Sequence, residues 1–138
     1  MYKSILVAVD GSEYSAKAAK HAVELASVLK SKIIAIHVID VRVKRVYEGS
    51  EKALMQLTKF GESYLQDVVN MAKTANVPVE AFLKEGLPPE VIVNEAEDRG
   101  VELIVMGTRG LSGAKRVILG STAEQVVEWA RCSVLVIK

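Results

Sequence analysis

Five short runs of apolar, largely β-branched residues, separated by longer stretches with helical periodicity, limit what this 138-residue chain can become. Short apolar strands alternating with amphipathic helices are the pattern of βαβ units, in which parallel strands form a sheet covered by helices. Ile5–Val9 is the first run, and Ser12 is suited to cap a helix reaching about Leu29. In that helix Ala16, Ala19, Val23 and Ala26 recur at three- and four-residue steps on one face. Ile33–Ile39 reads as a second strand, apolar on both faces as a central parallel strand requires. After a polar connection, Leu54, Leu57, Tyr64, Leu65, Val68 and Met71 mark a long helix from about Glu51 to Ala75. Val77–Leu83 reads as the third strand, and Pro88 and Pro89 suit the first turn of a helix ending near Glu97. Leu103–Met106, Ser121–Ala130 and Ser133–Ile137 complete the pattern as strand, helix and strand. No linker, internal repeat or low-complexity tract interrupts it. The expectation is therefore one domain over residues 1–138, an α/β fold with a single open, doubly wound, five-stranded parallel sheet and helices on both faces.

The fourth strand leads into Met106-Gly-Thr-Arg-Gly-Leu-Ser-Gly-Ala-Lys-Arg-Val-Ile-Leu-Gly-Ser-Thr-Ala-Glu124, a glycine-studded loop that ends at a helix start. Gly107, Gly110, Gly113 and Gly120 allow the backbone to approach a ligand with no Cβ in the way. The first N–H groups of the helix after them lack intrahelical partners, and its dipole favours an anion. The loop from Gly107 to Gly120 also far exceeds the roughly two to six residues usual for a βα turn. Extra length at a strand end points to function.

Composition excludes more than it assigns. A chain of this length buries about 68% of its unfolded surface in one core, so no disulfide or metal is needed to hold it together. The net charge of +1, with both signs scattered, gives no electrostatic reason to expect nucleic acid or an anionic membrane as partner. One cysteine, Cys132, rules out an internal disulfide framework, fits a reducing, cytoplasmic setting, and reads as a small buried hydrophobe. The first strand follows Met1-Tyr-Lys3 too directly for a signal peptide, and no apolar run approaches the ~20 residues of a membrane span.

The spacing Gly107-x2-Gly110-x9-Gly120-Ser121 resembles the nucleotide-binding signature of the universal stress protein family, in its ATP-binding branch. Ile5-Leu-Val-Ala-Val-Asp-Gly-Ser12, His37-Val-Ile-Asp40, Glu85-Gly-Leu-Pro88 and Ser133-Val-Leu-Val-Ile137 are similar to that family in the same order, so the resemblance covers essentially the whole chain. It implies the strand order 3-2-1-4-5, which opens a crevice between the carboxyl ends of the first and fourth strands, where Asp10 and Gly107 lie. The nucleotide contacts it implies are Ala8, Asp10, Val38, Met106, Gly107, Arg109, Gly110, Gly120, Ser121 and Thr122. The ligand would be ATP, or AMP or ADP, with Mg²⁺ or Mn²⁺ held mainly by its phosphates.

Several of these residues carry two readings. Asp10 can close an Asx-turn with Ser12, or receive ribose hydroxyls and help hold a phosphate-bound metal. Val38 can be core alone, or offer its backbone to the edge of an adenine. Ser121 with Glu124 has the spacing of a capping box, which is compatible with anion binding. Arg109, Lys115 and Arg116 are a solvated basic surface, or cations that approach a polyphosphate. Gly86 and Pro88 start a helix, or shape a turn near the base. The Walker spacing and the dinucleotide fingerprint are both absent, as is any metal-ligand cluster or Ser/His/Asp arrangement. His37 reads as a core imidazole, His21 as solvent-facing, Trp129 as a packing residue, and Arg42–Val46 as a solvated connection.

The functional expectation is a nucleotide-binding signalling module with at most slow ATP hydrolysis, since no efficient general base is evident. The alternative is an adenylyl- or phosphoryl-transfer enzyme, for which a chain this short offers little room for an acceptor. A phosphoacceptor receiver domain lacks support, because the third strand runs into Leu83-Lys84-Glu85 rather than an aspartate. In the implied order Ser133–Ile137 is an apolar, proline-free edge strand, which favours a two-fold homodimer with the fifth strands paired.

Overall fold

The structure, a computed structural model, describes residues 1–109 and 119–138. Gly110, Gly113, Lys115 and Arg116 lie outside the described residues. The elements follow in the order β1 (Ser4–Ala8), α1 (Glu13–Leu29), β2 (Lys32–Asp40), α2 (Val41–Val46), α3 (Glu51–Thr74), β3 (Val79–Gly86), α4 (Pro88–Asp98), β4 (Leu103–Gly107), α5 (Ser121–Trp129) and β5 (Ser133–Ile137). The five strands form one sheet in the order β3-β2-β1-β4-β5, and every neighbouring pair is parallel. That is the expected doubly wound sheet.

Strand periodicity explains its two-sided core. Ile5, Val7, Ile33, Ala35, Leu103 and Val105 face a cluster closed by Ala18, Ala22, Val23 and Ala26 of α1 and by Leu65, Val68 and Ala72 of α3. The intervening Leu6, Ile34, Ile36, Ile104 and Met106 face the opposite cluster, closed by Ile92 and Ala96 of α4 and by Ala123 and Val126 of α5. Both sets are buried because side chains alternate across a strand and helices cover both faces. Each fully buried Ile or Leu contributes about 1.5–3 kcal/mol.

Four local expectations differ from the structure. The connection after β2 contains α2, because the Asp40 side chain accepts from the Arg42 amide at 2.9 Å and caps a helical turn. β3 starts and ends later than Val77–Leu83, since its register against β2 runs from Val79 opposite Ile33 to Gly86 opposite Asp40. Ala16 is exposed, and the buried stripe of α1 uses Ala18 and Ala22 beside Ala19, Val23 and Ala26. Trp129 is half exposed rather than packed inside. Ser12 caps α1 as expected, accepting from the Ser15 amide at 3.1 Å. Pro88 and Pro89 open α4, where an imino nitrogen costs no intrahelical bond. No helix among the described residues is long and apolar enough to cross a membrane.

Candidate functional site

β1 and β4 are adjacent, yet α1 leaves one tip toward one face while α5 follows the other tip toward the opposite face. Divergence of this kind leaves a crevice at the carboxyl ends of the strands. A cavity of about 570 Å³ occupies that place.

One end is made largely of backbone. β4 finishes at Gly107, whose missing Cβ lets Tyr14 press close: a built Cβ would lie 2.7 Å from Tyr14 Cβ and 2.8 Å from its carbonyl carbon. Gly120 returns the chain, donating its N–H to the Thr108 carbonyl at 2.5 Å, and is the N-cap of α5. Among the described residues no side chain caps this helix, so the expected Ser121–Glu124 box does not form. The reason is position: Ser121 is already the first helical residue, whereas a capping hydroxyl must come from the residue before it. Gly120, Ser121 and Thr122, which carry the N-cap and first amides of α5, line the cavity. Across from them stands Asp10, whose Oδ1 accepts from the Ser12 amide at 2.9 Å while its own N–H donates to Ser15 Oγ at 3.1 Å. The Asx-turn is thus formed, and the same aspartate still lines the cavity.

The other end is made of side chains. Ile36, Val38 and Ile39 come from β2, Val43 from α2, Leu57, Phe60 and Tyr64 from α3, and Pro88 and Ile92 from α4. Phe60 and Tyr64 lie parallel with centroids 6.5 Å apart, and His37 meets Tyr64 edge-on at 5.3 Å. His37 Nδ1 donates to the Val9 carbonyl at 2.7 Å, which assigns the hydrogen to that nitrogen because a carbonyl only accepts. Tyr64 also holds the first loop, its ring filling the space that a Cβ on Gly11 would need. At the rim, the Arg42 guanidinium grips the Asp40 carboxylate through Nε at 3.0 Å and Nη2 at 2.7 Å. That hydrogen-bonded pairing holds the Asp40 carboxyl below its ordinary range.

Ala8, Asp10, Val38, Met106, Gly107, Arg109, Gly120, Ser121 and Thr122 all line this one cavity, and Gly110 lies outside the described residues. Phe60 and Val43 escaped the sequence reading. Phe60 sits one turn before Tyr64, and that i, i+4 spacing was the available signal. Among the described residues no group of three or more His, Cys, Asp and Glu could hold a metal. Cys132 is half buried away from the cavity, with its thiol pKa raised by desolvation.

A profile described as the universal stress protein family matches residues 1–138. Universal stress protein MJ0531 of Methanocaldococcus jannaschii is 41% identical over 141 residues, covering 100% of this chain and 83% of the relative. Among solved structures, the hypothetical protein MJ0577 has a TM-score of 0.88 at 34% identity, covering 100% of this chain and 96% of that one. The universal stress protein from Archaeoglobus fulgidus in complex with dAMP shares the fold at a TM-score of 0.74 and 24% identity, covering 99% of this chain and 98% of that one.

Proposed function

This chain belongs to the universal stress protein family, and on that premise we propose that it is a cytoplasmic signalling module that binds ATP, or AMP or ADP, in the crevice between β1 and β4. The observation that carries the reading is a helix N-terminus that no described side chain caps, at one end of a cavity whose other end is apolar and aromatic. A ligand that is anionic at one end and flat at the other fits both: free amides and the helix dipole suit phosphate, and an apolar, ring-lined wall suits a base. The Archaeoglobus fulgidus protein of the same fold was solved with dAMP.

In this reading Gly107, Gly110, Gly120, Ser121 and Thr122 take the phosphates and Arg109 adds positive charge. Asp10 accepts from the ribose hydroxyls, the Val38 backbone meets the base edge, and Ala8 and Met106 form the floor beneath. Mg²⁺ or Mn²⁺ would be held mainly by phosphate oxygens, with the Asp10 carboxylate as a minor protein partner. Hydrolysis is slow at most in this reading, since of the two carboxylates that line the cavity Asp40 lies at the base end and Asp10 is engaged by the Ser12 amide and the ribose, which leaves no efficient general base for an attacking water.

The test is mass spectrometry of the purified protein for co-purified nucleotide, followed by a thermal-shift titration with Mg-ATP. At ~100 times its dissociation constant the ligand adds about 2.7 kcal/mol of stability. A flat titration with no nucleotide carried through purification overturns the reading, and rapid turnover in a parallel ATPase assay would favour the transfer enzyme instead.

The partner we propose is a second copy of the chain. β5 is the edge of the described sheet, and its Val134, Leu135 and Val136 are partly exposed beside backbone groups that no described strand pairs. Antiparallel pairing about a two-fold axis covers both edges at once. Val136→Lys should sediment as a monomer, and an unchanged dimer rules this interface out.

A further inference from the structure

Tyr14 does not line the cavity, yet it is bound to a residue that does. It lies in the first turn of α1, and the Arg109 guanidinium sits over its ring with the central carbon 4.7 Å from the centroid. Arg109 Nη2 also donates to the Tyr14 hydroxyl. The ring and the hydroxyl thus restrain both the plane and the tip of one guanidinium.

The seat is rigid from below and from the side. Gly107 brings the last residue of β4 against the Cβ and carbonyl carbon of Tyr14, so the tyrosine backbone cannot recede without displacing the sheet. Gly120 packs against the root of the same arginine, since a Cβ there would lie 3.0 Å from Arg109 Cα and 3.2 Å from its Cβ. Lys17 also approaches the Tyr14 ring, but at 5.8 Å, and it pairs with Glu13 at 3.8 Å. Among the described residues Arg109 is the cation that the ring holds closely.

We propose that Tyr14 is a positioning residue: it fixes the Arg109 guanidinium at the end of the cavity where α5 begins, and so sets the preference for phosphorylated over unphosphorylated nucleosides. The inference rests on the nucleotide-binding reading above and names what that reading leaves open. A long flexible side chain loses conformational entropy when it binds an anion, and holding it beforehand removes part of that cost. Arginine suits this role because its planar group stacks on an aromatic face and carries a fork of five N–H donors that matches phosphate oxygens. A nucleoside without phosphate makes no use of that charge.

The experiment is isothermal titration of the full chain with Mg-ATP and, separately, with adenosine. It compares the unaltered protein with Tyr14→Phe, Tyr14→Leu, Arg109→Met and the double variant Tyr14→Leu with Arg109→Met. Tyr14→Phe keeps the ring and its packing against Gly107, so it guards against a simple folding failure. Loss of ring and hydroxyl together should weaken Mg-ATP about tenfold, and loss of the hydroxyl alone about threefold, with adenosine changed by less than about twofold. In the Arg109→Met background Tyr14→Leu should have no further effect on Mg-ATP, because its influence passes through the arginine. Equal weakening of both ligands, no change in either, or a Tyr14 effect that persists without Arg109 overturns the inference while leaving nucleotide binding intact. An unaltered protein that binds neither ligand overturns both.

Discussion

Where the cavity meets α5 it is built from backbone held close by Gly107 and Gly120, whereas its far end is built from side chains carried by β2, α2, α3 and α4. The first end presents amides whose positions are fixed by the chain path, so it can neutralise charge without reorganising. The second presents Val38, Val43, Phe60 and Tyr64, which offer area and shape but little charge. A ligand spanning both is therefore recognised by two separable kinds of interaction. Changes at the backbone end should alter phosphorylated ligands selectively, and changes at the far end should alter every ligand that shares the base.

The sharpest way to break that distinction is to delete one amide, with Ser121→Ala as the control for the hydroxyl that is lost with it. Ser121→Pro removes the N–H of the first residue of α5 at a position where proline is well tolerated, and Gly120 before it is already extended with ψ 158°. A hydrogen bond to a charged group is worth about 2 kcal/mol, so Mg-ATP should bind roughly thirtyfold more weakly with adenosine and melting temperature little changed. Titration calorimetry with both ligands checks this, and an equal loss for both would show that the two ends are not separable. Next in size is Phe60→Ala. Phe60 is 54% exposed, so its removal leaves the core intact, but it strips one ring from the aromatic wall. Contact between a base and an aromatic ring is worth about 1–3 kcal/mol, so ATP and adenosine should both weaken by about tenfold, in parallel. A loss confined to ATP would put the base elsewhere.

The same contrast explains what could be read in advance. The backbone end was legible because it is contiguous: Gly107, Gly120, Ser121 and Thr122 follow β4 within one stretch, and glycine spacing records a backbone requirement directly. The two-sided core was legible for a similar reason, since β-branched runs state burial residue by residue, whereas the strand order followed from the family resemblance. Of the far end only Val38 and Pro88 were anticipated, through the resemblance, because its parts are distant in the chain and each has an ordinary local explanation. Phe60 looks like any residue of an amphipathic helix until α3 is laid against β2. Val43 was hidden in a basic stretch, and only the Asp40 carboxylate, by capping α2, turns that stretch into a helix facing the cavity. The Ser121–Glu124 spacing misled because a capping box depends on a one-residue boundary, and that boundary lies at Gly120.

The smallest expected effect tests whether that cap belongs to the base end. Asp40 is gripped by the Arg42 guanidinium and accepts from the Arg42 amide, which together hold its carboxyl below the ordinary value of about 3.9. A carboxylate with a lowered folded-state pKa contributes fully above its unfolded value and loses that contribution as pH falls through the lower folded value. Acidification below about pH 4 should therefore loosen α2 and withdraw Val43 from the wall. Arg42 is 69% exposed, so solvent screens the pair and the change should be smaller than that of either substitution. Asp40→Asn keeps an acceptor for the cap but cannot titrate, so comparing it with the unaltered protein cancels protonation of the ligand itself. At neutral pH the variant should bind adenosine and ATP slightly and equally more weakly, and the gap should close as pH falls below about 4. A gap that stays constant with pH, or that appears for ATP alone, would move Asp40 from the base end to the phosphate end of the cavity.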